Sequence, residues 1–134
     1  MKVLLRVIAG SLALGALVQG QTLLTDLGDW PEFIRWAGPV AAWFVLSELV
    51  HIIGGTAGAI QLWSLKPMGR VIAIVVSVAD CLHSFVPWLI GPALGINHFR
   101  LRGPDLFGMV IGGAVLVVLL HPSVVTLCRN SPSK

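Results

Sequence analysis

Two pairs of ionisable residues, Glu48 with His51 and Asp80 with His83, stand at i, i+3 spacing near the middle of long apolar stretches. On a helix that spacing brings both members of a pair to one face. Ionisable side chains are costly inside a bilayer, so they are rare there and face a bundle interior or a polar cavity. These four residues are the candidates for function, and three chemistries fit them. The first is a metal site. Glu-x-x-His presents a carboxylate and an imidazole together, as carboxylate-bridged di-iron bundles do. The first and fourth apolar segments bring no core carboxylate, so the most this set offers is one zinc, iron or manganese ion held by His51, His83, Glu48 and Asp80. The second is haem, with His51 and His83 as axial ligands and the glycines after His51 making room for the macrocycle. The third is proton or quinone chemistry, in which a mixed carboxylate–imidazole cluster holds and passes a proton. A purely structural alternative stands beside them: Glu48 bonding His83 or nearby backbone, and Asp80 bonding His51, with the pairs only joining helices.

The elements that position these residues follow from composition. Of 134 residues, 56% are hydrophobic and 11% charged, with mean hydropathy +0.90. A soluble domain carries about 25% charged residues, so this chain lacks the polar surface to cover a water-soluble globule and reads as an all-α integral membrane protein. Net charge +3 and pI ≈ 9.4 do not indicate nucleic acid, because the basic residues mark the ends of apolar segments rather than one patch. Cys81 and Cys128 form no CxxC or zinc spacing and read as free thiols. Trp30, Trp36, Trp63 and Trp88 fall near segment ends, where indoles favour the headgroup region, while Trp43 is deeper.

A hydrocarbon core of about 30 Å takes about 20 apolar residues in a helix. Four segments qualify, at about 3–24, 34–65, 71–96 and 106–128, within one membrane domain spanning 1–134. The predicted architecture is an antiparallel bundle of four transmembrane helices with both termini on the same side. Breaks fall at Thr25 to Pro31, at Lys66-Pro67-Met68-Gly69-Arg70, and at Asn97 to Asp105. Pro87 and Pro92 are candidate kinks or stops in the third helix. Lys2, Arg6 and the sequence Val18-Gln19-Gly20 faintly resemble a cleavable signal, but the long apolar run favours a retained helix. Lys2, Arg6, Lys66, Arg70, Arg129 and Lys134 share one side and Arg35, Arg100 and Arg102 the other, which places both termini in the cytoplasm of a bacterial-type inner membrane.

At about 1.5 Å rise per residue, His51 lies roughly 22 Å from Lys66 and His83 roughly 20 Å from Arg70 along their helices. The short turn between those helices therefore sets the two histidines at matched depth, in one polar layer that Ser47, Ser77 and Ser84 extend. Gly54 with Gly58, and Gly108 with Gly112, form GxxxG patterns that suit close helix packing within the bundle. His98 and His121 read as interfacial, and Gln19, Gln21 and Gln61 as segment-end residues without a special role. P-loop, GxGxxG, GxSxG and HExxH motifs are absent.

Leu5-Arg6-Val7-Ile8-Ala9-Gly10, then Ser47-Glu48-Leu49 through Gly54-Gly55, with Arg70 opening an apolar third helix, resemble the DoxX-like group of small four-helix membrane proteins over roughly the first 80 residues. The resemblance implies a bundle that partners redox enzymes, sometimes linked to thiosulfate and quinone, and carries over Glu48 alone among the core residues. The expected function is a small membrane subunit of a redox or transport complex, without catalytic activity of its own, whose Glu48, His51, Asp80 and His83 bind a metal or cofactor or relay protons. A purely structural accessory subunit and a small proton-coupled transporter are the alternatives. The expected partners are the lipid bilayer and other membrane subunits or further copies of the chain.

Overall fold

The computed structural model describes residues 1–96 and 103–130, with the backbone alone at 84 and 103–105. Every regular element among the described residues is helical: α1 (Lys2–Gly28), α2 (Trp30–Ala37), α3 (Ala41–Leu49), α4 (Gly55–Trp63), α5 (Pro67–Ile90), α6 (Gly103–Leu120) and α7 (Pro122–Arg129). A 3₁₀ turn at Gly38–Val40 joins α2 to α3, and a π-helical turn at Val50–Gly54 joins α3 to α4. Three stretches are long and apolar enough to cross a membrane: Lys2–Gly28, Trp30–Trp63 and Pro67–Ile90. Leu106–Leu120 with Pro122–Arg129 makes a fourth if the bent pair counts as one span.

The breaks have local causes. α1 continues through Thr25 and Asp26 and stops only at Asp29, whose carbonyl accepts from the N–H groups of Glu32 and Phe33 to open α2. The turn between α4 and α5 is a Schellman closure: Leu65 N–H donates to the Leu62 carbonyl, and Lys66 N–H to the Gln61 carbonyl, both at 2.9 Å. The closure needs a left-handed residue, and Leu65 supplies it at φ 57, its side chain buried in the core. Pro67 then opens α5 at its first turn, where a missing N–H leaves no bond unmade. Pro87 does not stop α5, which continues to Ile90; the helix ends at Gly91-Pro92. The fourth apolar stretch does not run straight past Pro122, because the chain bends by 61° at His121, whose Nδ1 accepts from the Ser123 N–H.

The long helices pack in a row: α1 against α4, α4 against α5, and α5 against α6. Leu5, Ile8 and Leu12 of α1, Ala59 and Leu62 of α4, Ala73 and Val76 of α5, and Leu119 form the main core. Glycines set the spacing. A Cβ at Gly54 would stand 2.8 Å from Val76 Cγ2, and one at Gly58 would stand 3.1 Å from Ile72 Cγ2, so this GxxxG pair seats α5 within the molecule. Gly55 faces the other way, onto the Leu12 carbonyl and Ala16 of α1. The second GxxxG pair divides: Gly112 packs on Cys81 and the Ser77 carbonyl of α5, whereas no described residue lies within 4 Å of the Cβ position at Gly108. At one end of the row the Arg6 guanidinium lies 5.6 Å from the Trp63 ring centroid, and Arg70 Nη1 donates to the Leu119 carbonyl at 3.2 Å. The outer helices α1 and α6 barely touch each other.

Gly69 lies against the backbone of Gln61 and Leu62, where a Cβ would stand 2.8 Å from Leu62 Cα. Backbone cannot yield as a flexible side chain does, so Gly69→Ala is expected to destabilise by about 1–3 kcal/mol. Gly10→Ala enters open space and is expected to leave stability unchanged or raise it by up to about 1 kcal/mol. Thermal denaturation of the two variants in detergent checks the contrast.

Candidate functional site

The second span carries Ser47, Glu48 and His51 into the protein interior. The π-helical turn begins directly after α3, and its extra residue offsets every face beyond it. The residues before it present Ser47 and Glu48 inward, its last residue Gly54 and Gly58 beyond it face α5, and Gly55 faces α1. His51 lies within the turn itself, and π-turns of this kind recur at functional sites.

His51 uses both ring nitrogens. Nδ1 lies 2.5 Å from the Ser47 carbonyl and Nε2 lies 2.6 Å from Asp80 Oδ1. A carbonyl only accepts, so Nδ1 carries a hydrogen and donates it. One further proton then lies between Nε2 and Oδ1, on an imidazolium facing a carboxylate or on a carboxylic acid facing a neutral ring. The His51 side chain is 5% exposed and that of Asp80 is 44% exposed, so the pair links the interior to an open space.

Ser47 is a hub. Its single hydroxyl proton is donated to the Phe44 carbonyl at 2.9 Å, so the His83 Nδ1–H donates to Ser47 Oγ at 2.7 Å. The two imidazoles stand edge to face with centroids 6.3 Å apart, and Phe44 packs edge-on against His83 at 5.4 Å. Glu48 is 2% exposed, and its Oε2 has no hydrogen-bond partner among the described residues. An ionised carboxylate in that position costs several kcal/mol, so the oxygen needs a proton or a group that supplies one. Asp26 and His51 both lie near enough for their charges to act on Glu48.

The structure thus joins three members of the expected layer, His51, Asp80 and His83, through Ser47, and sets Glu48 beside them without a direct bond. It pairs Asp80 with His51, but it pairs His83 with Ser47 rather than with Glu48. Among the described residues no group of three or more His, Cys, Asp and Glu side chains is placed to hold one metal ion. The ligand set His51, His83, Glu48 and Asp80 is not gathered around a common point, and a metal or haem iron at His51 would have to displace the Ser47 carbonyl or Asp80. Cys81 and Cys128 are free thiols. His121 is exposed at the start of α7, while His98 and the side chain of Ser84 lie outside the described residues.

Two features escaped the motif reading. The first is Trp43, whose Nε1–H donates to the His83 carbonyl at 3.1 Å. Pro87 has no N–H to offer the carbonyl four residues before it, which is that of His83. The indole from α3 replaces the missing donor, so α5 passes Pro87 and still holds its backbone bonds. The second is a cavity of about 170 Å³ enclosed by α1, α5 and α6, with His51 and Asp80 on its wall. Gln19 lines it together with Ser11 and Ser77. Because α1 extends to Gly28, Gln19 is not a segment-end residue. The signal available in advance was the four-residue spacing of Ser11, Gly15 and Gln19, which aligns them on one stripe.

Comparison with known protein families, with characterised proteins and with solved structures finds no match to this chain.

If the indole of Trp43 serves the carbonyl that Pro87 leaves open, Trp43→Phe removes the donor and costs about 1–3 kcal/mol. Pro87→Ala restores the backbone N–H, so most of that cost is expected to disappear in the double variant. A double-mutant cycle from denaturant unfolding measures this, and additive single effects would contradict the arrangement.

Proposed function

We propose that the chain is an integral membrane protein of four crossings, both termini on the cytoplasmic side, whose Glu48, His51, Asp80 and His83 relay protons beside a redox or transport complex. Membrane embedding is supported by the outward surface of the long helices. Leu14, Leu17, Val75, Val110 and Val117 are all more than half exposed, which suits contact with lipid tails. The common side of the termini is supported by the contacts of Arg6 with Trp63 and of Arg70 with Leu119, which gather the basic ends of four helices. The redox partner is what the DoxX-like resemblance over roughly the first 80 residues implies.

One observation carries the relay reading: His51 is buried, bonded at both ring nitrogens, and in contact with a half-exposed carboxylate. A proton entering at Asp80 has the imidazole as its next carrier. Glu48, with an unpartnered oxygen a turn earlier on the same span, is the following one once the His51 ring releases the Ser47 carbonyl and turns its N–H toward that oxygen. Asp26 lines a separate pocket with Asp29 and Glu32 at the end of α1.

A second reading, a structural accessory subunit, is favoured by a different observation. The bonds from His51 to Asp80, from His83 to Ser47, and from Trp43 to the His83 carbonyl all join the second span to α5. The two readings separate in liposomes. With purified protein, an imposed potential and an internal pH dye, the relay predicts proton flux that falls at least tenfold in His51→Phe and in Glu48→Gln while both variants remain folded. The structural role predicts no flux above protein-free liposomes, and lowered thermal stability in His51→Phe.

A further inference from the structure

The cavity between α1, α5 and α6 is lined by the polar side chains of Asp80, His51, Ser77, Ser11 and Gln19 and by an apolar set. Ile8 and Leu12 come from α1, Val76 from α5, and Ile111 and Val115 from α6. Asp80 is the charged group on this wall, and among the described residues no lysine or arginine lines the space. Because α1 and α6 barely touch yet both line the cavity, it lies in the gap between these two outer helices. Its 170 Å³ is close to the volume of about 150 Å³ that accepts a benzene ring in a protein interior.

The hydrogen-bond logic of His51 sets the charge that this cavity tolerates. Nδ1–H is held by the Ser47 carbonyl, so the His51–Asp80 pair contains one mobile proton and is neutral overall. An added positive charge in an apolar surround costs several kcal/mol. If the mobile proton leaves as the cation arrives, the total charge is unchanged: neutral His51 keeps its Nδ1–H, and the Asp80 carboxylate meets the cation.

We propose that this cavity binds a small amphiphilic ammonium ion, one ring wide, in one-for-one exchange for the proton shared by His51 and Asp80. The proposal rests on reading that pair as the proton carrier of the membrane layer, and it adds the substrate class. Among the described residues, the titratable groups around Asp80 are His51 from the second span, and Cys81 and His83 on α5 itself. Among the described residues, those of α1 and α6 that line the cavity include none. The exchange therefore belongs to the pair rather than to a neighbouring group.

Titration calorimetry of the full chain in detergent with benzylammonium, in two buffers of different ionisation enthalpy, gives both affinity and protons released. The expected result is saturable binding with about one proton released per cation. Benzyl alcohol, the neutral analogue, is expected to release none. Asp80→Asn is expected to weaken benzylammonium at least tenfold and to abolish release. Ile111→Trp, which leaves the pair intact and fills the mouth, is expected to weaken it comparably at unchanged melting temperature. Absent binding, binding without proton release, or equal affinity in Asp80→Asn would each overturn the exchange. Protein that conducts protons in liposomes yet ignores benzylammonium overturns the exchange alone and leaves the relay standing. Release of a proton in protein that shows no flux supports the exchange and overturns the relay.

Discussion

The contact between His51 Nε2 and Asp80 Oδ1 constrains most of what surrounds it. It joins the second span to α5 at 2.6 Å, and it requires the imidazole to be offered at one angle. The π-helical turn places His51, and the Ser47 carbonyl locks its ring by accepting from Nδ1. Ser47 in turn receives His83, so the second histidine is fixed by the same residue that orients the first. A polar network in a poorly solvated interior is worth keeping only when its members are satisfied together. Three of the four ionisable residues meet that condition here, and Glu48 is the exception.

The same demand for satisfied polar groups extends to the backbone. Pro87 opens a gap in the hydrogen bonding of α5, and an indole from another helix fills it. Trp43 thus serves helix continuity and holds the two spans together one turn from the histidine layer. The glycines work with this pairing. Gly54 and Gly58 bring α5 close enough for His51 to reach Asp80, and Gly112 brings α6 onto α5 beside Cys81 and Asp80.

Packing in a row, rather than in a closed ring, gives the layer a double character. Bonds between the second span and α5 stiffen the centre of the molecule, as internal glue does. The loose meeting of α1 with α6 leaves one side of that centre open, and Asp80 is the group exposed there. Stability and access are therefore assigned to opposite ends of one histidine–carboxylate pair.

Much of this was legible in the residues alone. The apolar stretches, the turn at Lys66 to Arg70, and the four ionisable residues at one depth follow from hydropathy, from Pro and Gly punctuation, and from helix rise. Those are local properties, and each residue reports its own. The partners were not legible. Glu48 and Asp80 are both carboxylates three residues from a histidine, and sequence spacing treats the two pairs alike. One residue inserted at the π-turn rotates the helix beyond it, so His51 meets Asp80 while Glu48 meets no hydrogen-bond partner among the described residues. Trp43 and Pro87 each announce an unmet need, a donor without an acceptor and a carbonyl without a donor, but only the approach of α3 to α5 shows that they answer each other. Gly108 and Gly112 share one motif, yet α5 lies against only one of them. The tertiary structure decided these outcomes because hydrogen bonds and close packing act over a few ångströms, between residues that the chain separates by 29 or 40 positions.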